Sequence, residues 1–442
     1  MYSMRAYILP HITPDIESGD LAGDPQYYHN LSLELANNIK LMGYKAWKLH
    51  PEGQGPAGIL SLIYLFSTNQ IAIIALNATL HALAGLVLYL LLQQWFSPLI
   101  AFLASLPFII SPYEIHWFSQ INKDSYASCG AIFFIYGILH ALKLIRENLR
   151  LKNLYGFLIF TSAGAFLIFV VRPYLIMILQ YLVTALFIIA LVITIFDKKR
   201  RYGAPRSLVT FIFIALFFTS LVPLTHGAAS DLTIERFTVL HGSACEDGYS
   251  PGRYPIVCRC LENSNAGWVQ SNIVPRFIET KLRALFSQRC FFFIESYDQN
   301  PATRKSVIDS NIFPHSIFDA IAYLPRACVI GIFSPFPTTW FYHPDKKLSV
   351  FYTIASIEAI LFYISVTFLF IWTLCFNHHI SILGPIILCL CVMIVYGLGV
   401  PFIGALYRFR YPFWMIVHCS GVASLLTICL KYKKKLWDPV LH

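Results

Sequence analysis

Residues Pro173 to Arg206 read PYLIMILQYLVTALFIIALVITIFDKKRRYGAPR. From Pro173 to Phe196 there is no charged residue, and then Lys198, Lys199, Arg200 and Arg201 follow almost at once. An uncharged apolar run of about 20 residues is long enough to cross the hydrocarbon core of a bilayer as a helix. A basic cluster directly after it marks the side that stays cytoplasmic. The same pairing of apolar run and basic cluster recurs. Lys143, Arg146, Arg150 and Lys152 follow the run that ends near His140, and Lys431, Lys433, Lys434 and Lys435 close the chain.

Composition agrees with this reading. The chain has 442 residues, is 57% hydrophobic and only 13% charged, and has a mean hydropathy of +0.61. A soluble domain carries roughly a quarter charged residues. The expected fold class is therefore an all-α polytopic membrane protein. The net charge of +10 is a topology signal, and no basic stripe on a soluble surface points to nucleic acid. Aromatic residues, at 16%, are enough for interfacial belts of Trp and Tyr.

About nine spans are expected, near 69–94, 98–112, 122–143, 154–171, 173–196, 206–224, 351–375, 379–397 and 412–430. The second is short, with Pro107 inside it, and Pro112, Pro173, Pro205 and Pro412 read as boundaries because proline lacks the N–H that a helix interior needs. The charge rule then puts 143–153, 197–206 and the tail inside, and 1–68, 113–121, Arg172, 225–350 and 398–411 outside. Four regions follow: an outer first segment 1–68 with short interfacial helices, a bundle of six spans 69–224, a long outer loop 225–350, and three spans with a basic tail 351–442. A polar first segment is not easily translocated without a preceding apolar helix, so the topology leads us to expect a first helix encoded upstream.

Within 1–68, Leu31 to Met42 has helical apolar spacing, Gly43-Tyr44 stops it, His50 to Pro56 is a turn, and Ala57 to Phe66 is a short apolar helix. In the long loop, Val274 to Phe292 reads as helical. Ile317 to Phe333 reads as an interfacial or re-entrant segment broken by Pro325 and Arg326. Of eleven cysteines, seven lie in or beside apolar segments, where a thiol acts as a small hydrophobe. The other four (Cys245, Cys258, Cys260 and Cys290) share the long loop. An oxidising outer compartment predicts at least one disulfide among them, with Cys245 and either Cys258 or Cys260 the expected pair, since it closes a modest loop within one Pro/Gly-containing stretch.

Acidic residues are scarce, and six of them, Asp15, Glu17, Asp20, Asp24, Glu34 and Glu52, fall in the first outer segment. A carboxylate at the membrane surface can act as a general base. Asp24, followed by Pro25, also reads as the cap of a helix. Lys123 stands at the head of a span, where the helix dipole opposes a cation, and Asp124 beside it suits that end. Arg172, Arg326, Arg408 and Arg410 fall on the same outer side, and arginines there suit bidentate binding of phosphate. One acid and several cations facing one membrane surface describe a site for an anionic lipid.

The stretches Gly23-Asp24-Pro-Gln-Tyr-Tyr-His29, Pro51-Glu-Gly-Gln-Gly-Pro-Ala57, Asn122-Lys-Asp124, Tyr323-Leu-Pro-Arg-Ala327, Phe333-Ser-Pro-Phe-Pro337 and Arg408-Phe-Arg-Tyr-Pro412 carry a resemblance. The layout resembles the GT-C superfamily of membrane glycosyltransferases, in the bacterial branch of protein-mannosyltransferase and aminoarabinose-transferase type. The resemblance implies a first outer loop that carries the catalytic acid, here Asp24, with Tyr28 and His29 of the same motif among the substrate-binding residues. It also implies a polyprenyl-phosphate sugar as donor, a glycan, lipid or protein acceptor, a bacterial inner-membrane location and a periplasmic active site. The first loop has no Asp-Asp or Asp-Glu pair, which leaves divalent-metal use open, and no large soluble C-terminal domain follows. Two other readings stand beside it. An O-antigen polymerase or ligase would use Arg276, Arg283 and Arg289 of the long loop. A lipid-linked sugar flippase would show repeats and ionisable residues at mid-membrane depth, whereas the charges here are read at helix ends.

Overall fold

The computed structural model describes residues 24–69, 71–146, 151–196, 268–299, 307–310, 312–340, 349–375 and 380–437. The elements in this range are helices: α1 (Asp24–Met42), α2 (Gly55–Tyr64), α3 (Ile71–Leu92), α4 (Pro98–Ile110), α5 (Pro112–Phe118), α6 (Asp124–Arg146), α7 (Leu151–Val171), α8 (Pro173–Phe196), α9 (Arg276–Gln299), α10 (Ile317–Phe333), α11 (Ser349–Cys375), α12 (Ile380–Gly399) and α13 (Ile403–Trp437). Seven of them, α3, α6, α7, α8, α11, α12 and α13, are long and apolar enough to cross a membrane. The protein is a multi-pass helical membrane protein.

Several expectations are corrected. The span expected at 98–112 is two helices, α4 and α5, bent by 55° at Ser111. The one expected at 206–224 lies outside the described residues. Pro412 is not a boundary: it lies inside the 35-residue helix α13, which a long apolar helix tolerates because its neighbours can re-satisfy the freed carbonyl. Pro325 likewise lies inside an unbroken α10. Pro112 and Pro173 do open helices, at the first-turn position where the missing N–H has no partner to lose.

The chain divides into two compact units. The first holds Met1–Ala228, Lys347–Cys389 and Pro412–His442; the second holds Ala229–Lys346 and Leu390–Tyr411.

In the first unit, α6 and α7 lie closest. Between apolar helices in lipid, association depends on backbone approach and packing, so small residues gather at the contact. Gly130 and Gly137 of α6 meet Gly164 and Thr161 of α7. A Cβ on Gly137 would fall 2.2 Å from Thr161 Oγ1, and one on Gly164 would fall 2.6 Å from Gly130 O. At the other end of the pair Gly156 lies under the His140 ring, and His140 Nδ1 and Asn153 Oδ1 are 3.2 Å apart. Farther along the unit, Phe362 of α11 stacks on Trp414 of α13 at 4.4 Å, and His418 Nδ1 lies 2.8 Å from Ser365 Oγ.

In the second unit, α10 and α12 use the same device. A Cβ on Gly397 would fall 2.3 Å from Ala327 O, and one on Gly331 would fall 2.2 Å from Met393 O.

Gly164→Leu should separate α6 from α7 and lower stability by about 1–3 kcal/mol, the usual cost of overpacking. Phe166→Leu, at a position 57% exposed on the same helix, should change it by less than about 0.5 kcal/mol. Unfolding of the purified protein in detergent checks both.

Candidate functional site

The site begins with α1. Asp24 is exposed in its first turn, where the helix dipole favours a negative charge. Pro25 follows, with the fixed φ that suits a helix start. Gly43, at φ 80°, ends the helix, a left-handed conformation that costs glycine nothing. The inward face of α1 is Tyr28, Leu31, Ser32, Leu35, Ala36 and Ile39. Tyr28 and Ala36 pack with Leu60 and Tyr64 of α2, Ile73 of α3 and Ile121. His29 Nδ1 lies 2.6 Å from the Tyr64 hydroxyl, and the two rings meet edge to face. His29 therefore clamps α1 to α2.

The turn after α1 is docked as firmly. Trp47 Nε1 donates to Gly58 O at 2.9 Å. His50 Nε2 lies 3.1 Å from Phe169 O near the end of α7, with the two rings edge to face. Gly55 lies so close to α7 that a Cβ there would fall 1.5 Å from Val170 O, so no other residue fits. Between them Glu52 takes φ 48°, a strained conformation for a residue with a side chain. The Tyr27 hydroxyl donates to its carboxylate. That bond, with burial and the glutamate charge adding to it, pushes the Tyr27 phenol up to about 12. The six acids of the first segment thus part company. Asp24, Glu34 and Glu52 are exposed, and Asp15, Glu17 and Asp20 lie outside the described residues.

The second component is the head of α6. Asn122 accepts from Asp124 N at 2.9 Å and donates to Trp117 O. Ser125 Oγ donates to Asn77 Oδ1 at 2.9 Å, and Asn77 Nδ2 reaches Phe118 O and Gln120 O at 3.0 and 2.8 Å. Asn77 is a polar residue inside the span α3, and it ties the 118–125 segment in place. The network satisfies its buried groups mutually, which makes it rigid. Lys123, half-buried, places its ammonium 5.7 Å above the Tyr28 ring, a cation–π contact worth about 0.5–2 kcal/mol.

The third component is Arg172, between α7 and α8. Its Nη2 lies 2.6 Å from Asp124 Oδ1, and the two side chains are 3% and 8% exposed. Asp24, Tyr28, His29, Lys123, Asp124 and Arg172 therefore all belong to this one unit. Lys123 rests on Tyr28, Arg172 holds Asp124, and Asp24 lies one turn before Tyr28 on the same helix face.

The remaining candidates are in the second unit. Arg326 donates from Nε and Nη2 to Asp309 at 3.0 and 3.1 Å. Partial burial pushes the Asp309 carboxyl up, but the Arg326 hydrogen bonds and charge outweigh it and hold the group below the usual carboxylate range. Arg410 is 1% exposed and donates from Nη1 to Ile330 O and Gly331 O at 3.2 and 2.5 Å. Those are carbonyls of the last turn of α10, where the helix dipole favours a cation. Arg408 is half-buried. Arg289, expected to act in a polymerase or ligase, is 1% exposed and donates to the carbonyls of Ile308, Asp309, Ile312 and Leu398. Cys290 beside it is in a disulfide; its partner lies outside the described residues, as do Cys245, Cys258 and Cys260. The seven cysteines of the apolar segments are free.

Among the acids that the sequence does not single out, two lie within the helices of the first unit. Glu114 of α5 is 2% exposed. Glu358 lies well inside α11, against the expectation that charges sit at helix ends, and accepts from Ser111 Oγ at 2.7 Å. A lone glutamate in an apolar run is the signal that points to such a group. Among the described residues no group of three or more His, Cys, Asp or Glu is placed to hold a metal ion. Comparison of the chain with protein-family models, with curated proteins and with solved structures gives no match to any of them.

Arg172→Met should leave Asp124 buried without its counter-charge and cost about 3–5 kcal/mol. Arg172→Met with Asp124→Leu should recover most of that loss, as thermal unfolding of the three proteins in detergent will show. The Asp309–Arg326 pair has the opposite exposure and a pH signature. Because the folded carboxyl is held low, its contribution is full above the unfolded value and is lost as pH falls through the folded one. Asp309→Asn should remove that acid-side loss from an unfolding series run from neutral pH downwards.

Proposed function

We propose that the chain is an integral-membrane glycosyltransferase that moves a sugar from a polyprenyl-phosphate donor to an acceptor at the outer face of the cytoplasmic membrane of a bacterium. The observation that carries this reading is the meeting of α1, which bears the exposed Asp24, with the head of α6, where the half-buried Lys123 rests on Tyr28 and Asp124 is paired with Arg172. The disulfide at Cys290 supports an oxidising, outer location for the long loop. The basic clusters support the same orientation.

In this mechanism Asp24 takes the proton of the acceptor hydroxyl or amine as that group attacks the anomeric carbon, and the configuration there inverts. The bond to the lipid phosphate breaks as the new one forms. Negative charge grows on the leaving phosphate, and Lys123 stabilises it electrostatically. Arg172 acts from behind by holding Asp124 and the head of α6. Tyr27, three residues after Asp24 on α1, donates to Glu52 and ties α1 to the turn that follows it. His29 keeps α1 on α2, so that Asp24 stays at a fixed place.

A second reading has one observation in its favour. Glu358 within a span and Glu114 beside it are what a transporter of lipid-linked sugars would carry. The exposed Asp24 has no role in that case.

Asp24→Asn should lower transfer by about 10²- to 10⁴-fold, the usual contribution of a general base, while donor binding stays near wild type. Lys123→Ala should weaken donor binding instead. The assay is transfer from a lipid-linked sugar by the purified protein, with binding read separately. Wild-type turnover by Asp24→Asn would sink the transferase reading.

A further inference from the structure

Glu114 stands apart from every other acid described. It lies in the first turn of the short helix after the 55° bend, and neither of its carboxylate oxygens makes a hydrogen bond at normal geometry or reaches solvent. Its backbone N–H is satisfied, by Ser111 Oγ at 3.2 Å. That same hydroxyl donates to Glu358 Oε1, so one serine links the two glutamates.

The groups that bear on the Glu114 carboxyl come from each element around it. From α6 they are the Ser128 hydroxyl and Asp124, and from α11 Glu358. From α13 it is the Cys419 thiol. On its own helix His116 is buried. His81 of α3 is occupied by Ile109 O and by the rings of Phe108 and Phe118. The charged groups in this set are carboxylates, and the arginine beyond them, Arg172, is paired with Asp124 at 2.6 Å.

Removing a carboxylate from water without a partner costs several kcal/mol or more. A second carboxylate nearby, Glu358, raises the cost further. A metal ion could offset it, but the described acids do not converge on one. A proton is the remaining occupant.

We propose that Glu114 is a proton-binding site: a neutral carboxylic acid that exchanges its proton with the outside through the buried Ser111 and the half-exposed Glu358. On deprotonation the carboxyl loses H⁺ to solvent and becomes a carboxylate. The new charge then acts on the Asp124–Arg172 pair and, through it, on the head of α6. Protonation at a point inside the bundle is thereby linked to the position of Lys123. The proposal does not depend on the sugar-transfer reading, and a transporter could use the same site.

Infrared difference spectroscopy of the full-length protein in detergent, at neutral pH, tests it. Wild type minus Glu114→Gln should show one protonated-carboxyl carbonyl band, which Glu34→Gln, at an exposed acid, leaves in place. Glu358→Gln should shift that band, because it removes a nearby charge. Glutamine has the shape and neutrality of the protonated acid, so Glu114→Gln should melt at or above the wild-type temperature. The absence of any such band, or a drop in melting temperature as large as that of Arg172→Met, would overturn the proposal. If Glu114→Gln fails to fold, Ser128→Ala in the folded protein is decisive: a shifted band supports the site, and an unmoved spectrum refutes it.

Discussion

The Asp124–Arg172 pair is the constraint on which the first unit depends. It joins the head of α6 to the α7–α8 junction, at 2.6 Å and almost out of solvent. Neither charge could be buried there without the other. A lone buried ion costs several kcal/mol, and only close approach with further hydrogen bonds offsets it. The backbone at both ends is held as well: Asp124 N–H donates to Asn122 Oδ1 at 2.9 Å. Arg172 has its backbone N–H on Ile168 O at 2.7 Å. Everything else at the site is arranged around this junction. The turn at His50 to Gly55 docks on the last residues of α7, immediately before Arg172. Lys123, immediately before Asp124, supplies the cation that rests on α1.

Polar groups recur where the helices need positions set. Apolar helices in lipid slide past one another at little cost, because the tails are as apolar as the side chains. Asn77 halts that sliding for α3, and the Gly130–Gly164 approach halts it for α6 against α7. In the second unit, Arg289 and Arg410 do the same with carbonyl partners. These arginines illustrate why an outer arginine is a weak marker of phosphate binding. Arg410 reads from sequence as a ligand for an anion. It donates to the carbonyls at the end of α10, where the helix already presents partial negative charge.

The exposed acids and the buried acids answer different demands. Asp24 and Glu52 lie exposed on the surface. Glu114 is 2% exposed, with groups of α6, α11 and α13 around it. It lies on α5, a separate helix turned by 55° from α4.

The sequence by itself determined that the chain is a multi-pass helical membrane protein, and where most of its spans fall. Hydropathy over about 20 residues is a local property, set by bilayer thickness. Leu31, Leu35 and Ile39 likewise announce the buried face of α1 by their spacing alone. Proline was a less certain guide: Pro112 and Pro173 open helices, but Pro325 and Pro412 lie inside them, because a neighbouring helix can take up the freed carbonyl. Only the tertiary structure decided which charges meet. Arg172 and Asp124 are 48 residues apart, and nothing in either local stretch names the other. Tyr28 was legible as part of a motif, but its role as the seat for Lys123 was not. Glu114 and Glu358 stayed hidden for the same reason. Burial and partnership are sums over distant segments, and a carboxyl's chemistry is set by what those segments bring to it.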